Sequence, residues 1–141
     1  MPLPKNVQDL FNDPAAIKIL ATKSAGEALH IIVVGSMRAP DPNIIAFAAI
    51  FMREAHENLN KAKKTGEKVS TLVVKVVPEK MQMLAYQARC KVKSLETSGP
   101  IYENFKEVLK KMGFEMRGVW VLEPIEVYNQ SPGPDAGKKI A

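Results

Sequence analysis

Hydrophobic and polar positions change most sharply at residues 44–59, which read IIAFAAIFMREAHENL. The first half is an unbroken apolar run without Gly or Pro. The second half turns to charge at Arg53, Glu54, His56 and Glu57. A short apolar run bounded in this way predicts a buried strand over residues 44–51. Residues 53–64 then predict a helix with Ala55, Leu59 and Ala62 on one face, stopped at Thr65-Gly66. A strand that runs into a helix turns unpaired backbone N–H groups toward one spot. That spot suits an anion, and Arg53 stands beside it.

The rest of the chain reads in the same terms. Asn6 is expected to cap a short helix carrying Val7, Leu10 and Phe11, which Asp13-Pro14 ends. Residues 15–22 predict a strand with Ile17 and Ile19 on one face, followed by a hairpin loop at Ser24-Ala25-Gly26-Glu27 and a β-branched strand over 28–37. Pro40-Asp41-Pro42-Asn43 predicts a turn, after which the strand over 44–51 is expected to return beside the second one. VSTLVVKVV, residues 69–77, is the strongest β run, and Pro78-Glu79-Lys80 turns the chain into a long strand over 84–95. Ser98-Gly99-Pro100 opens a helix with Tyr102, Phe105, Val108, Leu109 and Met112 at amphipathic spacing, closed by Gly113. A last strand spans 119–128, where Pro124 predicts an edge or a bulge, and residues 129–141 read as a tail.

About six strands and two main helices result. The first three strands have no helix between them, which favours an antiparallel sheet, and closing it into a barrel removes exposed edges. The expected class is mainly β, a β-barrel with flanking helices, in a single domain over residues 1–141.

Composition narrows the chemistry. The 141 residues are 46% hydrophobic and 25% charged, with a formal charge of +5 and an isoelectric point near 9.3. This balance attracts phosphorylated small molecules. With lysines dispersed and only 6% aromatic residues, it argues against nucleic acid. No apolar run reaches the roughly 18 residues of a membrane span, and the N-terminus lacks the layout of a signal peptide. A cytoplasmic protein without membrane attachment is expected. Cys90 is the single cysteine, and His30 and His56 stand far apart with no third ligand nearby, so no metal site is expected. Cys90 and Trp120 are expected in the core, and His56 on an exposed helix face. No G-x-S-x-G is present, and no side chain stands out as a catalytic acid, base or nucleophile.

Three stretches in this order resemble one family. Arg53-Glu54-Ala55-His56-Glu57-Asn58-Leu59 is similar to R-K-T-x-x-N-L, Tyr86–Val92 to the strand R-Q-V-R-V-x-G, and Val127-Tyr128 with Ser131-Pro132-Gly133-Pro134-Asp135-Ala136-Gly137 to the C-terminus of small prokaryotic members. The chain thus resembles, over residues 8–137, the pyridoxamine 5'-phosphate oxidase-like split β-barrel proteins that bind flavin mononucleotide (FMN). The resemblance implies a six-stranded antiparallel split barrel and a homodimer with FMN at the subunit interface. It also implies a flavin-dependent oxidoreductase acting on a small-molecule redox substrate. Arg53 would hold the phosphate. Ile32, Val33 and Val34 would flank the flavin ring, as would Ala48, Ala49, Ile50 and Phe51, and Gln87 would reach a flavin oxygen.

Two positions depart from the pattern: Glu54 replaces a lysine and Ala55 a hydroxyl residue. A carboxylate repels phosphate, and each charge-assisted hydrogen bond lost is worth about 1.5–3 kcal/mol. Arg53, Arg38 or Arg89 would have to compensate. Taken alone, Arg53 suits a solvated or interface charge as well as a phosphate ligand, and Glu54 suits a first helical turn whatever binds there. The alternative is a non-catalytic dimeric binding protein on the same fold, with a degenerate phosphate site.

Overall fold

The computed structural model of the protein describes residues 2–141. The chain runs α1 (Lys5–Phe11), β1 (Ile17–Lys23), β2 (Leu29–Val33), β3 (Arg38–Asp41), β4 (Ile44–Ala48), α2 (Glu54–Thr65), β5 (Val69–Val77), β6 (Gln82–Glu96), α3 (Pro100–Lys111) and β7 (Val119–Asn129). A 3-10 turn at Pro78–Lys80 links β5 to β6.

All strands join one antiparallel sheet in the order β2-β1-β5-β6-β7-β4-β3. The class is the one expected, a mainly β split barrel with flanking helices, but with seven strands instead of six. The extra one is β3, which lies where Pro40 and Pro42 predicted only a turn. Its pairing with β4 shifts register between Arg38 and Asp41, as befits a short edge strand with proline in it. The expected neighbour of β4 is corrected as well: β4 lies between β3 and β7, not beside β2. The two ends of the sheet, β2 and β3, are consecutive in the chain and are linked only by residues 34–37. The sheet therefore curls without closing, and the split falls at that link.

Pro124 sits at a register shift, opposite Cys90 while Glu126 stands opposite Arg89, which is the expected bulge. The helix after β4 has Ala55, Asn58, Leu59 and Ala62 buried, acidic residues in its first turn, Lys63 and Lys64 in its last, and a left-handed Gly66 beyond it. Helix α1 starts one residue before Asn6, which is not its cap. Leu20, Phe47, Leu59, Trp120 and Leu122 form the main core. Helix α3 buries Phe105 and Leu109 over Ala46, Ala48 and Val119. Burying each such large side chain contributes about 1.5–3 kcal/mol.

Among the described residues, nothing covers one face. The outward residues of β1 and β2 include Ile17, Leu29, Ile31 and Val33, all largely exposed. No described helix is long and apolar enough to cross a membrane.

Candidate functional site

A cavity of about 520 Å³ opens at the split. One side is Ile32, Val33, Val34, Gly35 and Ser36, where β2 ends and turns. The other side is Ala48 with Ile50, Phe51 and Met52, where β4 ends. Helix α3 and the residues after it close the third side with Val108, Leu109, Met112 and Phe114, and among the described residues Arg38 is the one charged residue in the lining. The size and the apolar character suit a small ring system.

The segment between β4 and α2 is not the strand continuation that the apolar run predicts. Strand pairing stops at Ala48, and Phe51 takes a left-handed backbone with φ +53°. Residues beyond β4 are instead fastened to the start of β7. The Ala49 N–H donates to the Gly118 carbonyl, the Arg117 N–H donates to the Ala49 carbonyl, and the Arg117 guanidinium donates to the Met52 carbonyl. On the other wall the Ala48 N–H donates to Ser36 Oγ at 2.9 Å, which ties the β2–β3 link to β4.

Six of the nine residues implied by the resemblance, Ile32, Val33, Val34, Ala48, Ile50 and Phe51, thus line one cavity. The other three do not. Ala49 is buried behind the wall, and Arg53 is exposed at the start of α2, outside the lining. Gln87 is on the outward face of the sheet, where its Nε2 donates to Ser70 Oγ and its Oε1 accepts from Gln130.

The start of α2 is organised around Glu54. Its carboxylate lies 2.8 Å from His30 Nδ1 and accepts from Ser24 Oγ at 3.0 Å. Below it the buried Asn58 donates to Thr22 Oγ1 at 3.0 Å. Asn58, part of the stretch that carries the resemblance, therefore joins α2 to β1 and does not face the cavity. Among the described residues neither Arg53 nor Arg38 has a carboxylate partner. The Arg38 guanidinium instead stacks 4.6 Å from the Phe105 ring centroid. Arg89 is committed elsewhere, over the Tyr128 ring on the outward face, so it does not serve this site.

His56 is half-buried, which corrects the expected exposed position. Its Nδ1 accepts the Trp120 indole N–H. Burial, with the Arg117 charge close by, holds its pKa below the usual 6.5, while Glu57 acts the other way. Cys90 and Trp120 are buried as expected, and burial pushes the Cys90 thiol up to about 12, which makes it inert as a nucleophile. Among the described residues the lining holds no carboxylate, imidazole, amine or thiol. Sequence reasoning missed the whole α3 wall, because Val108 and Met112 read there as positions of a core-facing stripe.

No protein-family model matches the chain, and no curated protein sequence matches it significantly. Solved structures do. Group A Streptococcus HupZ superposes with a TM-score of 0.74 at 17% identity, covering 99% of both chains. An FMN-binding protein from Syntrophomonas wolfei gives 0.72 at 13% identity, covering 86% of this chain and 82% of its own. A candidate pyridoxamine 5'-phosphate oxidase from Lactobacillus delbrueckii gives 0.60 at 22% identity, covering 90% and 93%. Further matches include a heme binding protein and a heme storage protein. The chain has the split-barrel fold of the pyridoxamine 5'-phosphate oxidase-like group.

Proposed function

We propose that the protein is an FMN-binding flavoprotein, a flavin-dependent oxidoreductase that works as a homodimer. The observation that carries this reading is the convergence of Ile32, Val33, Val34, Ala48, Ile50 and Phe51 on one apolar cavity at the split. Its walls fit a flat ring. The flavin would supply the redox chemistry, accepting or giving up a hydride or electrons.

The chain's own residues would bind and orient. Arg53, free of a carboxylate, would hold the phosphate from the start of α2, while Glu54 is drawn aside by His30 and Ser24. Arg38 would offer a second cation from inside the cavity. The apolar side chains would exclude water from the ring. With no acid or base in the lining, protons would come from solvent or substrate. The uncovered face of β1 and β2 supports the homodimer: Val33 belongs both to that face and to the cavity wall, so a second copy seated there would also border the site.

The experiment is a visible absorption spectrum of the purified protein, followed by titration with FMN, riboflavin and heme. The expected result is quenching of FMN fluorescence, with FMN bound more tightly than riboflavin. A protein that leaves both flavins unquenched overturns the reading, and a strong heme band would transfer the site to heme.

A second reading has its own observation. Glu54 is engaged structurally and Ala55 is buried at 1% exposure, so both phosphate-ligand positions of the family pattern are spent on the fold. A non-catalytic dimeric binding protein with a degenerate phosphate site then follows. The Glu54→Lys, Ala55→Thr double variant separates the two: FMN affinity rising from undetectable to micromolar supports the second reading.

A further inference from the structure

Phe51 is the oddest residue of the chain. The residue is 87% exposed, and its backbone holds φ +53°, a region that bulky side chains seldom occupy. The two other non-glycine residues with positive φ, Glu27 and Met81, lie in tight connections between paired strands, where such values are common. Phe51 lies in no hairpin. Its conformation is imposed from both sides, by the Arg117 N–H on the Ala49 carbonyl and by the Arg117 guanidinium on the Met52 carbonyl. A strained backbone that its surroundings enforce, carrying an apolar ring out into water, indicates a task outside the core.

The ring has one intramolecular neighbour of its own kind. Phe114, just after α3, meets it edge to face with centroids 5.5 Å apart and planes at 89°. Both rings line the same cavity, Phe51 from the segment after β4 and Phe114 from the segment after α3.

We propose that Phe51 and Phe114 form an aromatic clamp at the cavity mouth, in which one ring stacks on the flat ring of the ligand while the other braces it edge-on, so that the site selects aromatic over saturated occupants. The clamp rests on the proposed flavin site but extends it to two residues that set specificity, one of them outside the family resemblance. Edge-to-face geometry leaves the face of one ring open to a third, and a flat aromatic ring stacks there better than a puckered saturated one of equal size. The backbone strain at Phe51 places the ring before the ligand arrives, so less freedom is lost on binding.

The test uses lumiflavin, which is a ring without a phosphate tail, and in parallel 2-naphthol against decahydro-2-naphthol. The proteins are the wild type and the Phe51→Gly, Phe51→Leu and Phe114→Leu variants. Glycine accepts positive φ freely, so Phe51→Gly is expected to raise Tm while weakening lumiflavin at least tenfold. The leucine variants are expected to keep the fold and to erase the preference for naphthol over its saturated counterpart. If lumiflavin fails to bind the wild type but naphthol preference exists and depends on both rings, the clamp stands and the flavin reading falls. If Phe51→Gly changes the monomer–dimer balance with ring affinity intact, Phe51 is an interface residue and the clamp is overturned. Equal binding of naphthol and its saturated counterpart by the wild type, or binding of neither, also overturns it.

Discussion

The indole N–H of Trp120 donates to Nδ1 of His56 across 3.2 Å, so the largest side chain of the core is fixed to the first turns of α2. That bond needs an unprotonated Nδ1. The folded-state pKa of His56 lies below the unfolded value near 6.5, so between the two the unfolded chain binds more protons. The associated stability is complete above about pH 6.5 and is lost as pH falls through the folded-state pKa. Thermal melts from pH 7.5 down to 5 should show a declining Tm. In His56→Phe that slope should flatten, and at pH 7.5 stability should fall by about 1–3 kcal/mol because the buried indole N–H loses its acceptor.

Gly118 carries the carbonyl that receives the Ala49 N–H, and it has no room for a side chain. A Cβ there would lie 2.9 Å from Leu95 Cδ1 and 3.0 Å from the Glu96 carbonyl oxygen. Gly118→Ala should cost about 1–3 kcal/mol in denaturant unfolding, and it should weaken ligand binding by shifting the segment that holds Phe51.

Asn58 is buried at 4% exposure and donates to Thr22 Oγ1. Truncation to alanine leaves that hydroxyl unmet and opens a small void between α2 and β1. Asn58→Ala should therefore lower unfolding free energy by about 1–3 kcal/mol, measured by urea titration, without changing the absorption of bound ligand.

On the homodimer reading, Ile31→Lys puts a charge in the middle of the uncovered face of β2, where the native residue is 67% exposed. Sedimentation should show a monomer with an unchanged fold. Ligand affinity should drop with dimerisation, since Val33 is common to the face and the cavity. A monomer that binds as tightly as the wild type would count against a shared site.

Strand content, both main helices, the β6–β7 bulge at Pro124 and the burial of Trp120 and Cys90 were legible because each has a local signature: β-branched runs, 3.6-residue spacing, or a missing donor. The partners of β4 were not, because its pairing with β7 joins segments more than seventy residues apart and its pairing with β3 passes through a proline-rich edge. Strand β3 was hidden by two prolines in four residues, which speak for a turn even when an edge pairing survives beside them. Phe51 continues an apolar run, and that pattern alone predicts strand. Positive φ announces itself in a sequence through glycine or asparagine, and phenylalanine gives no such sign. At the site, the walls from β2 and β4 were legible through the family resemblance. Arg53 and Gln87 stand outside the lining of that cavity, and a match in the sequence does not say whether a side chain meets the cavity of its own chain or the outer surface.

Because the two outermost strands are neighbours in the chain, the first 48 residues supply, besides α1, only the hairpins β1–β2 and β3–β4, and these do not pair with each other. Strand β1 waits for β5, and β4 waits for β7, which is the last strand to be made. During synthesis the apolar run at residues 44–50 would leave the ribosome long before its permanent partner. Such late, distant pairing slows folding and leaves a sticky nascent segment, so expression of this protein should respond strongly to growth temperature and to chaperone supply.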